Sequence, residues 1–127
     1  MSRPALLDSS YLIDLEREIA AGDLGPARRF LPSLRGRPIV VSVVSVEELL
    51  EGAADESAAF AALQRFAIQG LHLAHARRCA LVQRRASRRL GENDAWLVAT
   101  AESLDADVVA ADRAAFERLG ARYLRFR

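Results

Sequence analysis

The chain has no lysine. All 18 of its basic side chains are arginine. That absence excludes Schiff-base chemistry, a phosphate-loop lysine and the lysine of receiver-type phosphoacceptor domains. Arginine grips phosphate through two parallel hydrogen bonds, so the kind of cation still matters. Acids number 17, which leaves a formal net charge of +1 and no global attraction to nucleic acid. Cysteine is almost absent too. Cys79 stands alone, so no internal disulfide can form and a cysteine-based zinc site is excluded. A lone thiol fits a reducing compartment, and a cytoplasmic location is expected. The two histidines, His72 and His75 in "HLAH", make a poor zinc hydrolase. No apolar run reaches the length of a membrane span, and no basic segment followed by a long apolar stretch marks a signal peptide, so no membrane role is expected.

What is present is an ordinary globular composition, 51% apolar and 28% charged, in 127 residues. One domain spanning 1–127 is expected, long enough for a substantial core. Residues 4–8 read as a short buried strand. Residues 10–21 read as a helix with Leu12, Leu15 and Ile19 on one face and Gly22 as its stop. Residues 24–34 look helical and lead into the turn "RGRP". The β-branched run "PIVVS" (38–42) reads as a strand covered on both faces. Residues 43–53 and 55–69 read as helices, and "LHLA" (71–74) as a brief strand or a loop. A basic helix is expected over 75–90, ending at Gly91, and another over 93–104. "DVVAA" (107–111) reads as a strand, 113–119 as a helix and "ARYLRF" as a last strand. Strands alternating with helices imply an α/β domain with a mainly parallel sheet and helices on both faces.

In such sheets ligands bind beyond the carboxyl ends of the strands. Four segments distant in sequence bring carboxylates near that edge. Asp8 ends the first strand and Asp112 follows the "VVAA" strand. Glu47 and Glu48 lie early in the helix after "PIVVS". Asp94 precedes Leu97, Val98 and Ala101 by three, four and seven residues, which puts it on the apolar stripe of its helix. Each acid also has an ordinary explanation. Asp8 and Asp112 suit helix caps, and Asp94 suits a dipole partner with Asn93 as the cap. A wheel through Val46, Leu49, Leu50 and Ala53 sets Glu48 away from the apolar face, and pattern alone does not choose between Glu47 and Glu48. Carboxylates sharing one rim repel unless a cation joins them, and an all-oxygen set suits Mg²⁺ or Mn²⁺.

Four segments in order carry a resemblance: "LLDSSYLIDL" (6–15), "VSVVSVEELLEGA" (41–53), "GENDAWLVATAESLDADVVAAD" (91–112) and "DRAAFERLGARYL" (112–124). The chain resembles the PIN-domain ribonucleases over nearly its whole length, and within them the VapC-type toxins of toxin–antitoxin pairs. The resemblance implies a PIN-like three-layer sandwich with about five strands. It implies that Asp8, Glu48, Asp94 and Asp112 form the catalytic metal site for Mg²⁺ or Mn²⁺. Glu48 is selected over Glu47 because the family's Glu is followed by Leu and lies four before Gly, here Leu49 and Gly52. Ser9 matches the hydroxyl residue that supports the first acid. Ala115 departs from the pattern, since many relatives carry a further acid there. The family's members are divalent-metal endoribonucleases. Those of the VapC type cut tRNA or ribosomal RNA, pair as homodimers and are neutralised by a small antitoxin protein from an adjacent gene.

The stretch "ARRCALVQRRASRRL" (76–90) runs up to Gly91 and Asp94. Its Arg85, Arg88 and Arg89 are candidates for holding RNA phosphates beside the acids. The competing expectation is a solvated face partly paired with acids such as Glu92. Arg35 and Arg37 in "RGRP" are weaker candidates. The leading expectation is therefore an RNase toxin. Two others stand beside it: a phosphoacceptor domain using Asp8 as nucleophile, which the missing lysine disfavours, and a non-catalytic or non-toxin PIN module that binds RNA or a protein partner.

Overall fold

The computed structural model describes residues 2–111 and 114–127. Five short strands form one parallel sheet: β1 (Ala5–Leu7), β2 (Ile39–Ser42), β3 (Ala67–Gln69), β4 (Asp107–Ala110) and β5 (Tyr123–Arg125). Their order across the sheet is β3-β2-β1-β4-β5. The chain builds outward from β1 to β3 on one side, then returns to the other side of β1 with β4. The direction of winding therefore reverses between β1 and β4, and open α/β sheets take their ligands at the carboxyl edge of such a reversal.

Alternation along the strands divides the core into two layers. Ala5 and Leu7 of β1, Val41 of β2 and Val109 of β4 face one side. There they meet α1 (Ser9–Ala21), α2 (Pro26–Phe30), α3 (Val43–Glu51) and α4 (Glu56–Leu63) through Tyr11, Leu12, Leu15, Ala27, Leu49 and Leu63. Leu6, Val108 and Ala110 face the other side, against Val82 of α5 (Leu73–Arg85) and Leu97, Val98 and Ala101 of α6 (Glu92–Leu104). Phe116, from a 3₁₀ segment at Ala114–Arg122, completes that layer. Each fully buried Leu, Val or Phe in these layers contributes about 1.5–3 kcal/mol relative to exposure.

Local chemistry sets the element ends. Gly22 closes α1 at φ 70°, and its N–H reaches the carbonyls of Glu18 and Ile19. Gly25 is needed for another reason: a Cβ there would sit 2.6 Å from Cδ of Glu18. That close approach lets Glu18 accept from the N–H groups of Ala27 (3.0 Å) and Arg28 (2.8 Å), which caps α2 from a distance.

Two expectations differ from the structure, and a third is decided between its alternatives. The helix read over 55–69 stops at Leu63, and 67–69 form the edge strand β3, paired with β2 in the register Val41↔Ile68. The segment 71–74 contributes no strand, and Leu73 opens α5. The basic helix ends at Arg85 rather than at Gly91. Ala86 turns to ψ 135°, and Leu90 folds back to pack beside Cys79, Ala95 and Ala99. The carboxamide of Gln83 holds that turn, donating to the carbonyl of Leu90 and accepting from its N–H, both at 3.0 Å.

Candidate active site

Asp8 lies directly beyond β1, the central strand, and is only 2% exposed. Its N–H donates to the carbonyl of Val109 at 2.9 Å, which ties it to β4 across the reversal. Asp8 is also the N-cap of α1, with Oδ2 accepting from the backbone N–H of Ser10 at 3.1 Å. The Ser10 hydroxyl donates to the same oxygen at 2.6 Å and accepts from the N–H of Ala111 at 3.0 Å. Ser9, the expected neighbour, is buried, while the hydroxyl on the carboxylate belongs to Ser10. The signal for Ser10 was in the sequence: a serine two residues after an Asp cap can reach back to it.

Glu48 sits on α3, which starts at the carboxyl end of β2 with Ser42 as its cap. Glu48 is half-buried and Glu47 is exposed. The wheel drawn from leucine and valine positions is therefore incomplete. The buried side of α3 also includes Ser45, three residues before Glu48, at 1% exposure. The Ser45 hydroxyl is buried without a hydrogen-bond partner. Glu47 instead faces Glu51. The charge of Glu51, then desolvation, then a hydrogen bond to Glu51 and the charge of Glu48 push the Glu47 carboxyl above its ordinary pKa.

Asp94 is half-buried in the first turn of α6, where a carboxylate complements the helix dipole. The cap of this helix is Gly91, without a side-chain bond, and Asn93 lies inside the first turn. Asp94 folds back over Gly91, with Oδ2 3.6 Å from where a Gly91 Cβ would be. Asp112, the fourth expected acid, lies outside the described residues. Among the described residues no three His, Cys, Asp or Glu side chains are gathered closely enough to hold a metal ion. The donor chemistry still suits a hard cation: Asp8, Glu48 and Asp94 offer only oxygen, and Asp8 is a buried carboxylate at the reversal.

Of the expected RNA-binding arginines, Arg85 ends α5, while Arg88 and Arg89 lie on the turn that follows. Arg89 pairs with Glu92 at 2.8 Å. Arg37 is committed elsewhere, at the opposite edge of the sheet. It bonds Asp107 at 2.5 Å, and Arg3 bonds the other oxygen of that carboxylate at 3.2 Å. His75 is buried, and its Nδ1 accepts from the N–H of His72 at 3.0 Å, so this pair closes the start of α5. Burial pushes the Cys79 thiol up, with the charge of Glu92 adding to the effect. Among the described residues no helix is long and apolar enough to cross a membrane.

Solved structures share this architecture. A toxin–antitoxin complex from Klebsiella pneumoniae contains a chain with a TM-score of 0.75 and 23% identity, covering 94% of this chain and 98% of that one. VapBC2 from Rickettsia felis, bound to a DNA fragment from its promoter, gives 0.72 at 15% identity, covering 96% of each chain. FitAcB from Neisseria gonorrhoeae gives 0.70 at 18% identity, covering 95% and 94%. No curated protein matches the chain. The PIN domain family profile matches residues 5–121, nearly the whole length. With a parallel sheet that reverses at β1 and β4 and an acid seated at that reversal, the chain belongs to the PIN domain family.

Proposed function

We propose that the chain is a divalent-metal-dependent endoribonuclease of the VapC type, a toxin that hydrolyses RNA phosphodiester bonds. The observation that carries this reading is Asp8: a buried carboxylate at the topological switch point, fixed by Ser10 and tied to β4. Glu48 and Asp94 approach the same edge from α3 and α6, and Asp112 follows β4 in sequence. These four would hold Mg²⁺ or Mn²⁺. The ion, when bound, supplies charge neutralisation at the phosphate and a more acidic water. The start of α1 holds Asp8, since the N–H and hydroxyl of Ser10 both donate to Oδ2. Asp8 or Asp94 would also help orient the attacking water.

Transfer RNA or ribosomal RNA is the substrate class. The partner is a small antitoxin, consistent with the toxin–antitoxin complexes that share the fold, and the working form is a homodimer in the cytoplasm. A cleft of about 500 Å³ lies between α1, α3 and α4, with Leu49 and Gly52 of the α3 end in its lining. Ile13, Ala20, Leu49, Ala53 and Ala58 form its apolar part and Glu16, Arg17 and Asp55 its charged part, a surface suited to an amphipathic helix from such a partner.

Asp94→Asn tests the reading. It keeps the side-chain volume and removes one charge, so RNA cleavage in Mg²⁺ or Mn²⁺ should be lost while the unfolding midpoint stays near the parent's. Full cleavage by a folded, nuclease-free preparation of this variant would overturn it. The other reading is a PIN module without catalysis that binds RNA or protein. One observation favours it: the lack of a three-residue metal cluster among the described residues. Failure of the parent protein to bind either ion at millimolar concentration would select that reading.

A further inference from the structure

The turn after α5 does more than connect two helices. With the 3₁₀ segment it encloses a cleft of about 580 Å³, lined by Arg85, Arg88, Arg89, Gly91, Ala115 and Arg118 among others. Arg118 comes from the 3₁₀ segment, on the far wall. Among the described residues no carboxylate lines this cleft. Elsewhere on the molecule arginine is commonly neutralised. Arg65 meets Glu16, Arg127 meets Asp14 and Arg122 meets Asp105. Within the cleft only Arg89 has such a partner, Glu92. Among the described residues Arg85, Arg88 and Arg118 make no ion pair. Three uncompensated guanidinium groups facing one cavity repel each other, a cost relieved when an anion enters.

The cleft is also built to hold its shape. Both hydrogen bonds of the Gln83 carboxamide clamp Leu90, so the Arg88 turn cannot swing freely from α5. Between the arginine walls the surface is small: Ala114, Ala115 and Gly91. It offers no deep apolar pocket for the large anchors that peptide interfaces use. It ends at Gly91, and the Asp94 carboxylate lies against that residue.

We infer that this cleft is a phosphate subsite: Arg85, Arg88 and Arg118 take a backbone phosphate of an RNA strand next to the one that reaches Asp94. Arg118 thereby becomes a positioning residue on an element separate from the basic segment, and Arg89, held by Glu92, is secondary. The inference rests on the nuclease reading for the identity of the strand, and its test does not depend on cleavage.

The experiment is fluorescence anisotropy of a short labelled single-stranded RNA with the full chain, in chelator, between about 50 and 200 mM salt. Removing a phosphate contact from single-stranded nucleic acid lowers the slope of log K against log salt by about 0.7. Arg118→Gln and Arg88→Gln should each show that loss with weaker binding, and Arg118→Lys should restore the slope. Arg89→Gln should change it less. Arg88, Arg89 and Arg118 are all exposed, and circular dichroism checks the fold. Ala114→Glu, which places a carboxylate in the cleft without removing an arginine, should also weaken binding. Parent-like affinity and slope in both Arg118→Gln and Ala114→Glu would overturn the inference, as would loss only of a co-expressed protein partner. If the arginine dependence holds but no ion supports cleavage, the cleft stands and the nuclease reading falls. If cleavage holds without arginine dependence, the reverse follows.

Discussion

The Ser10 hydroxyl donates to Asp8 Oδ2 at 2.6 Å and accepts from the N–H of Ala111 at 3.0 Å. One side chain thus links the carboxylate beyond β1 to the end of β4, across the point where the sheet reverses. Asp8 therefore caps α1 while the same oxygen is tied, through Ser10, to the end of β4. The capping role and the proposed metal role do not compete, because a carboxylate has about four lone-pair sites.

Ser10→Ala should remove that link. It leaves the Ala111 N–H without its partner and takes a hydrogen bond from a charged acceptor. A loss of about 1.5–3 kcal/mol is expected. Urea unfolding reads it as a lower midpoint with an unchanged slope. A variant as stable as the parent would show that water substitutes for the hydroxyl and that the reversal is not strapped by this residue.

The acid limb of stability should contain a contribution from Glu18. Desolvation pushes its carboxyl up. Donation from the N–H groups of Arg28, Ala27 and Gly25, with the charge of Arg29, outweighs that and leaves its pKa below the ordinary 4.5. A carboxyl depressed in the folded state stabilises above its unfolded pKa, and the stabilisation is lost as pH falls through the folded value. Glu18→Gln should therefore be less stable than the parent at neutral pH, and the gap should narrow below pH 4.5. Unfolding free energies across the acid range check this. A gap that stays constant with pH would assign Glu18 a purely steric role beside Gly25.

Much of the fold is legible in the chain because its central strands are apolar or β-branched. "ALL", "IVVS" and "DVVA" are strands in the sequence reading and in the structure. The edge strand β3 is not legible, for a physical reason. Ala67, Ile68 and Gln69 are short of β-branched residues, largely exposed and without alternation, so only pairing with β2 makes them a strand. The early end of α5 is hidden in the same way. "ASRRL" has no glycine or proline, and the turn depends on a clamp from Gln83 and on a place for Leu90 in the core. Strand ends and helix starts bring Asp8, Asp94 and the Glu47–Glu48 pair to attention, and the family resemblance selects Glu48. The spacing of Ser10 from Asp8 reveals its bond to the carboxylate, whereas its bond to Ala111 and the place of Arg118 depend on distant segments that no local spacing reveals.

Glu47 and Glu48 are adjacent and should behave in opposite ways. Glu48 is half-buried on the side of α3 that carries Ser45, and it is the proposed ligand. Glu48→Gln should abolish metal-dependent RNA cleavage with little change in stability. Glu47 is exposed and faces Glu51, whose charge is the largest cause of its raised pKa. A carboxyl whose folded pKa is raised favours its protonated form, so its ionisation near neutrality opposes folding. Glu47→Gln mimics the protonated form without the charge. It should cleave RNA as the parent does and be more stable at pH 7, and the gain should fade as pH drops below the carboxylate range. Parallel cleavage and thermal unfolding assays on the two variants decide the matter. Cleavage lost in Glu47→Gln but kept in Glu48→Gln would reverse the assignment on α3, because the residue oriented toward Ser45 would then not be the one that serves the site.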